Sequence, residues 1–229
     1  MSAESAKPRR VSRQVLADHV YQDILASLMD NTLEAGVSIS IDGLARDLEV
    51  SPTPIREALA RLESTGLVRR VALKGYTVAP LFTSDELAEL MDARLVIEPV
   101  TALRACERVS PQLYSALERS ISDLRAAPRG ASFAEFRDYW EADERFHRLI
   151  AENAANQFIL SAYNSLGGQI QRFRFFGGLG VTDADYAIEE HSAILEAFAD
   201  ADPEKARDAM ISHLEGVKQR AIDDVGHQD

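Results

Sequence analysis

Asp143 and His147 are four residues apart, which puts them one turn above the other on a single helical face. Phe136, Tyr139, Trp140, Phe146 and Ile150 define the inward stripe of the same segment, so that face is the buried one. His191 stands among Ala187, Ile194, Leu195 and Phe198, and His213 among Ala209, Met210, Leu214 and Val217. Three of the five histidines and one carboxylate thus point into apolar surroundings from three separate segments. Burying these groups singly is costly, above all the carboxylate as an anion. One shared cation would satisfy all four. Three imidazole nitrogens with a carboxylate oxygen suit Zn²⁺ and other first-row divalent ions such as Ni²⁺ or Mn²⁺, zinc and nickel foremost. Such a set leaves one or two coordination positions open, where a small organic acid could bind through its carboxylate. The alternative for each residue taken singly is a core histidine bonded to a backbone carbonyl, or an i,i+4 pair in the case of Asp143 and His147.

Two arginines add to this chemistry. Arg94 lies on an inward-looking face with Leu87, Leu90, Met91 and Thr101, and Arg174 lies beside Ile170 and Phe173. A buried guanidinium requires an anion. Either arginine could take an effector carboxylate. The competing readings are an internal ion pair, Arg94 with Glu98, and an Arg174 that extends outward to water.

A second kind of chemistry is written between Ser51 and Leu62. Ser51 suits a helix N-cap, and Pro52 falls at the first helical position, where its missing N–H has no partner to lose. Ile55, Leu59 and Leu62 form one apolar stripe, which leaves Thr53 and Arg56 on other faces early in the helix. A recognition helix presents side chains to the DNA major groove from that position.

The elements around these residues follow from pattern. Val15 to Asn31 reads as a helix with Val15, Val20, Ile24, Leu25 and Leu28 mostly inward. Ile41 to Leu48 reads as a short helix capped by Ser40, so two short helices meet across a tight turn at Glu49-Val50. Leu67 to Val71 and Tyr76 to Ala79 read as two strands joined at Ala72 to Gly75, a wing with Lys74 at its tip. From Ser84 onward only helical pattern appears, in spans 84–107, 110–126, 131–153, 156–177, 182–200 and 203–224, with turn or capping residues at each break. Pro99 inside the first span predicts a kink. The fold class is mainly α: a winged helix-turn-helix at residues 13–80 and an antiparallel all-α bundle at 84–224, preceded by a disordered arm at 1–12.

Charge separates the same two parts. The net charge of −12 taken alone argues against DNA binding. Residues 1–80, however, hold 10 Lys+Arg against 10 Asp+Glu, so the whole acidic excess lies after them. A neutral module with locally placed cations can grip phosphates, and an acidic second domain discourages non-specific adhesion. A single Cys106 excludes an internal disulfide. No segment has the length of a membrane span, and residues 1–20 lack a signal-peptide core, so a cytoplasmic location is expected.

The segments Leu44-Ala45, Val50-Ser51, Thr53 to Leu59, Leu62-Glu63, Gly66 to Val68 and Gly75 resemble the GntR family of bacterial transcription regulators. Two departures stand out: Pro52 replaces an arginine that contacts DNA in that family, and Glu49 replaces the usual turn glycine. Residues 84 to about 222 resemble the FCD domain of the FadR-type subfamily, through Arg94 to Glu98, Asp143, Phe146-His147, Asn156, Glu190-His191 and His213-Leu214. The resemblance implies metal ligation by Asp143, His147, His191 and His213. It also implies double-stranded operator DNA as partner, met by Ser51, Thr53, Arg56, Arg69, Lys74 and Gly75. The function expected is a homodimeric regulator, read as a repressor, whose operator affinity answers to a small organic acid bound at the metal through Arg94 and Arg174. No catalytic residues are assigned. The competing classes are a metal-dependent enzyme acting on small organic acids and a sensor of the metal itself.

Overall fold

The computed structural model describes residues 13–130, 132–173 and 183–226. The chain divides into two compact units, Met1–Ala79 and Pro80–Asp229.

In the first unit, α1 (Arg13–Met29) is followed by β1 (Ser38–Ile39), α2 (Ile41–Asp47), α3 (Pro52–Ser64), β2 (Val68–Val71) and β3 (Gly75–Val78). Ile55, Ala58, Leu59 and Leu62 of α3 are fully buried, and α3 packs on α1, whose Val20, Ile24 and Leu25 are buried as well. The side chain of Ser40 accepts from Gly43 N–H at 3.0 Å and starts α2. Ser51 occupies the N-cap position of α3 by backbone geometry without a side-chain capping bond. Val15 is exposed rather than inward, so the buried stripe of α1 begins at Ala17. The wing pair runs antiparallel from Val68↔Val78 to Val71↔Gly75. A third strand absent from the sequence reading, β1, pairs with Thr77 and Tyr76 on the other edge of β3. Two residues are too few to show an alternating pattern.

The second unit has six helices among the described residues: α4 (Ser84–Cys106), α5 (Pro111–Ala126), α6 (Phe133–Asn153), α7 (Gln157–Phe173), α8 (Ala184–Ala199) and α9 (Pro203–Gly226). Thr83 and Glu86 cap α4 reciprocally, and Ser110 caps α5. The helix α4 continues through Pro99 to Cys106. The pairing of α5 with α6 and of α8 with α9 encloses the main apolar core, while α4, α9 and the flanking α7 share a second cluster around Leu87, Met91 and Val217. Leu117, Phe146, Ile150, Ile194, Met210 and Leu214 lie at the centre of the main core. No helix among the described residues is long and apolar enough to cross a membrane.

Candidate functional site

Within that core, α6, α8 and α9 each contribute one imidazole to a single cluster. His191 and His213 are essentially inaccessible, and Asp143 and His147 nearly so. The His147 Nε2 atom lies 3.3 Å from His191 Nε2 and 3.3 Å from His213 Nε2. Usable ligand atoms of all three rings fall within 4.8 Å of one another. Asp143, one turn before His147, brings Oδ1 to 3.7 Å from His191 Nε2. The His191 ring stacks on Phe146, with centroids 4.2 Å apart and planes 10° from parallel, which fixes its tilt.

The far nitrogens of two rings are held by carboxylates that the sequence reading did not assign to them. His147 Nδ1 stands 2.7 Å from Glu98 Oε2. Glu98 in turn accepts from Arg94 Nε at 2.5 Å and from Arg94 Nη2 at 3.3 Å. Burial alone would raise the Glu98 carboxyl, but the Arg94 guanidinium and His147 override it and hold it well below the ordinary carboxylate range. Glu98 is therefore a carboxylate at ion-pair distance from His147, without hydrogen-bond alignment at Nδ1. His213 Nδ1 lies 2.8 Å from Glu190 Oε2. Burial, helped by His147 and Arg94, keeps His213 well below its ordinary value and hence neutral near pH 7.

The consequence is electronic. With Nδ1 protonated, neutral His213 carries its lone pair on Nε2. At 3.3 Å, His147 Nε2 either donates a hydrogen bond to that lone pair or shares a cation with it. Two nitrogens each about 2.05 Å from a tetrahedral Zn²⁺ stand about 3.3 Å apart, the separation found for both ring pairs. The three imidazoles are therefore spaced to hold a divalent ion, while Asp143 is buried beside them without its oxygens joining the same close cluster.

Asp143 and His147 border a small pocket that Arg94, Trp140 and Tyr163 also line. Burial, with Glu98 and Glu144 nearby, pushes the Tyr163 hydroxyl well above its ordinary value, so it stays a neutral donor. Arg94 is fully buried, and both its Nε and Nη2 are engaged by Glu98, while Nη1 meets Met91 Sδ at 3.9 Å. The internal ion pair and a position on the cavity wall thus coexist. Arg174 lies outside the described residues.

On the first unit the remaining candidates are exposed. Thr53 and Arg56 project from the first turn and a half of α3, and Ser51 precedes them with its hydroxyl outside any capping bond. Arg69, Arg70 and Lys74 are exposed along the wing. Gly75 adopts φ +79°, a left-handed conformation open to glycine, as the wing turns into β3. Arg61, by contrast, is spent inside the unit: it bonds Asp18 at 2.6 Å and lies over the Tyr21 ring.

A buried imidazole cluster in a helical bundle, joined to an exposed helix-turn-helix with a wing, defines a class of two-part regulators. Two family models match the chain, "Bacterial regulatory proteins, gntR family" over residues 16–78 and "FCD domain" over residues 89–216. The chain belongs to the GntR family of DNA-binding transcriptional regulators and carries an FCD domain. It is 27% identical over 231 residues to YcbG, an uncharacterised regulator of Bacillus subtilis strain 168, covering 96% of this chain and 95% of that one. It is 30% identical over 237 residues to a protein provisionally named as regulator of the L-lactate dehydrogenase operon in Escherichia coli K12, covering 92% and 86%. It is 22% identical over 209 residues to the transcriptional repressor RspR of the same organism, covering 90% and 89%. The fold matches that of E. coli McbR/YncC with a TM-score of 0.66 at 20% identity, over 90% of this chain and 96% of that one.

Proposed function

We propose that this chain is a cytoplasmic, homodimeric repressor of the FadR-type subfamily whose grip on its operator is set by a small carboxylate bound at a divalent metal. Asp143, His147, His191 and His213 hold the ion, and zinc suits their spacing best. The observation that carries this reading is the convergence of the Nε2 atoms at 3.3 Å inside a sealed core. When bound, the ion supplies a Lewis-acid position for one oxygen of the effector carboxylate. Arg94 and Tyr163 line the same pocket and offer donors to the rest of that acid. Arg174 is a second carboxylate partner in this proposal. Relatives named for L-lactate dehydrogenase and D-xylose utilisation operons support a link to carbon-source metabolites.

At the other unit, Thr53 and Arg56 read base edges while Ser51, Arg69, Lys74 and the Gly75 backbone hold the sugar-phosphate strand. Two copies related by a two-fold axis place two recognition helices on two half-sites. The effector changes operator affinity only as far as it binds the two states of the regulator unequally. Cys106 offers no support for turnover: burial pushes its thiol up to about 11, where it is inert near neutral pH.

The test combines metal analysis with operator binding. Wild-type protein should carry one zinc per chain and bind a selected operator, and added 2-hydroxy acids should change the affinity. Equal metal content in Asp143→Ala and His191→Ala variants would remove the site. Turnover of any hydroxy acid would move the chain to the enzyme class.

A further inference from the structure

Two of the three imidazoles are backed by a carboxylate, but the two backings differ. Glu98 is sealed in the core with Arg94, whereas Glu190 sits near the surface of the bundle, held from α9. Arg220 grips Glu190 as a fork, Nη1 to Oε1 at 2.8 Å and Nη2 to Oε2 at 2.9 Å. Arg220 Nε bonds Asp183 Oδ2 at 3.3 Å, so the guanidinium is itself located. The Glu190 oxygen that meets Nη2 is also the one 2.8 Å from His213 Nδ1.

A second observation comes from Gly216, three residues after His213 on the same helix. A Cβ at this position would stand 2.6 Å from Glu190 Oε1 and 2.9 Å from Arg220 Nη1. A glycine in mid-helix costs roughly 0.5–1 kcal/mol against alanine. The close approach of carboxylate and guanidinium to the α9 backbone accounts for its presence.

We propose that Glu190, clamped by Arg220 in the space left by Gly216, is a positioning residue of the metal centre that holds His213 in the tautomer with its Nε2 lone pair toward His147 and His191. Neutral imidazole exists as two tautomers, and the hydrogen bond made by one nitrogen decides what the other can do. A carboxylate on Nδ1 keeps the proton there, orients the ring and raises the basicity of Nε2. A salt bridge that merely staples α8 to α9 would hold the helices without selecting a tautomer. The proposal rests on the metal reading above.

The experiment uses the full chain, ¹⁵N-labelled at histidine and stripped of metal, with His213 assigned by difference against His213→Gln. Two-bond ¹H–¹⁵N spectra read the tautomer, and competition with a chromophoric chelator reads Zn²⁺ affinity. In wild type the His213 proton should reside on Nδ1. Gly216→Ala removes no polar group and raises helix propensity, so it should fold. It should move the His213 proton toward Nε2 and weaken Zn²⁺ binding about 10–100-fold. Glu190→Ala should do the same, and Glu190→Gln, which keeps an acceptor, should restore most of the tautomer. If both Gly216→Ala and Glu190→Ala lower thermal stability yet keep the wild-type tautomer and Zn²⁺ affinity, Glu190 is only a staple and the role is overturned. Wild-type protein without Zn²⁺ affinity would instead overturn the metal reading itself.

Discussion

Metal should stabilise the second unit, and the one tryptophan is placed to report it. Trp140 is the only tryptophan in the chain and lines the cavity beside Asp143 and His147. A ligand that binds only the folded state at 100 times its dissociation constant adds about 2.7 kcal/mol. For a unit of this size, each kcal/mol moves Tm by roughly 2–4 °C, so zinc should raise the Trp140-monitored transition by roughly 5–10 °C. His191→Ala deletes one nitrogen of the cluster. It also removes a sealed ring stacked on Phe146, so its metal-free transition should already lie lower, by about 2–4 kcal/mol in stability. The informative quantity is therefore the difference with and without zinc within each variant. That difference should collapse in His191→Ala while wild type keeps it. Thermal melts after chelator stripping, with tryptophan fluorescence as the probe, separate this unit from the first. Equal zinc-induced shifts in wild type and His191→Ala would refute the reasoning, because the ion would then be held elsewhere.

Acid should destabilise the metal-free protein in two stages. Burial holds the folded His213 well below 6.5, so below that pH the unfolded chain binds a proton that the folded chain refuses, and stability falls by up to about 1.4 kcal/mol per pH unit. Glu98 is held below its ordinary 4.5, so its contribution is present above that pH and is lost as pH falls further. Urea melts followed at Trp140 from pH 8 to about pH 2.5 test both stages, and a flat profile between pH 7 and pH 5 would contradict the first. On the DNA side, Arg56→Ala should cost about 1–3 kcal/mol of operator affinity and relax base preference at one position, whereas Lys74→Ala should weaken all sequences alike and lower the salt slope by about 1. Fluorescence anisotropy against single-base operator variants at several salt concentrations distinguishes the two. Glu49→Gly should stabilise the first unit by about 0.5–1 kcal/mol, since Glu49 is exposed at φ +53°, where a side chain costs roughly 1–2 kcal/mol and glycine's extra freedom when unfolded returns part of that. Denaturation of the two proteins checks it, and operator affinity should not move.

Helical period alone was enough to place Asp143, His147, His191 and His213 on inward faces, because each lies among apolar neighbours spaced three and four residues away. Their meeting point was not legible in that way, since it depends on how α6, α8 and α9 pack. The carboxylates behind the rings were harder still. Glu98 reads from sequence as an i,i+4 partner of Arg94, which it is, but its close contact with His147 crosses from α4 to α6. Glu190 directly precedes His191, so the helix turns it about a quarter-circle away from that ring and toward α9, where it serves His213 instead. In the first unit the recognition helix and wing were visible because each repeats its pattern over at least four residues. The edge strand β1 and the outward Val15 were not, because a two-residue strand has no period and a helix end can turn a valine to solvent at little cost.

The ion pair of Arg94 bears on how a signal could leave the cavity. Arg94 and Glu98 both belong to α4, the helix that begins within five residues of the end of the first unit at Ala79. The guanidinium holds Glu98, Glu98 stands at ion-pair distance from His147, and Arg94 also lines the pocket. An acid that drew on Nη1 would therefore act on a helix already tied to the imidazole cluster. Removing the guanidinium by Arg94→Ala would leave Glu98 ionised and sealed without its main counter-charge, a loss of about 3–5 kcal/mol. Arg94→Lys keeps the charge but cannot bond both Glu98 oxygens and still face the cavity. The lysine variant should fold, retain zinc and bind operator, yet respond weakly to hydroxy acids in the anisotropy assay. A full response in Arg94→Lys would show that the acid is sensed without this arginine.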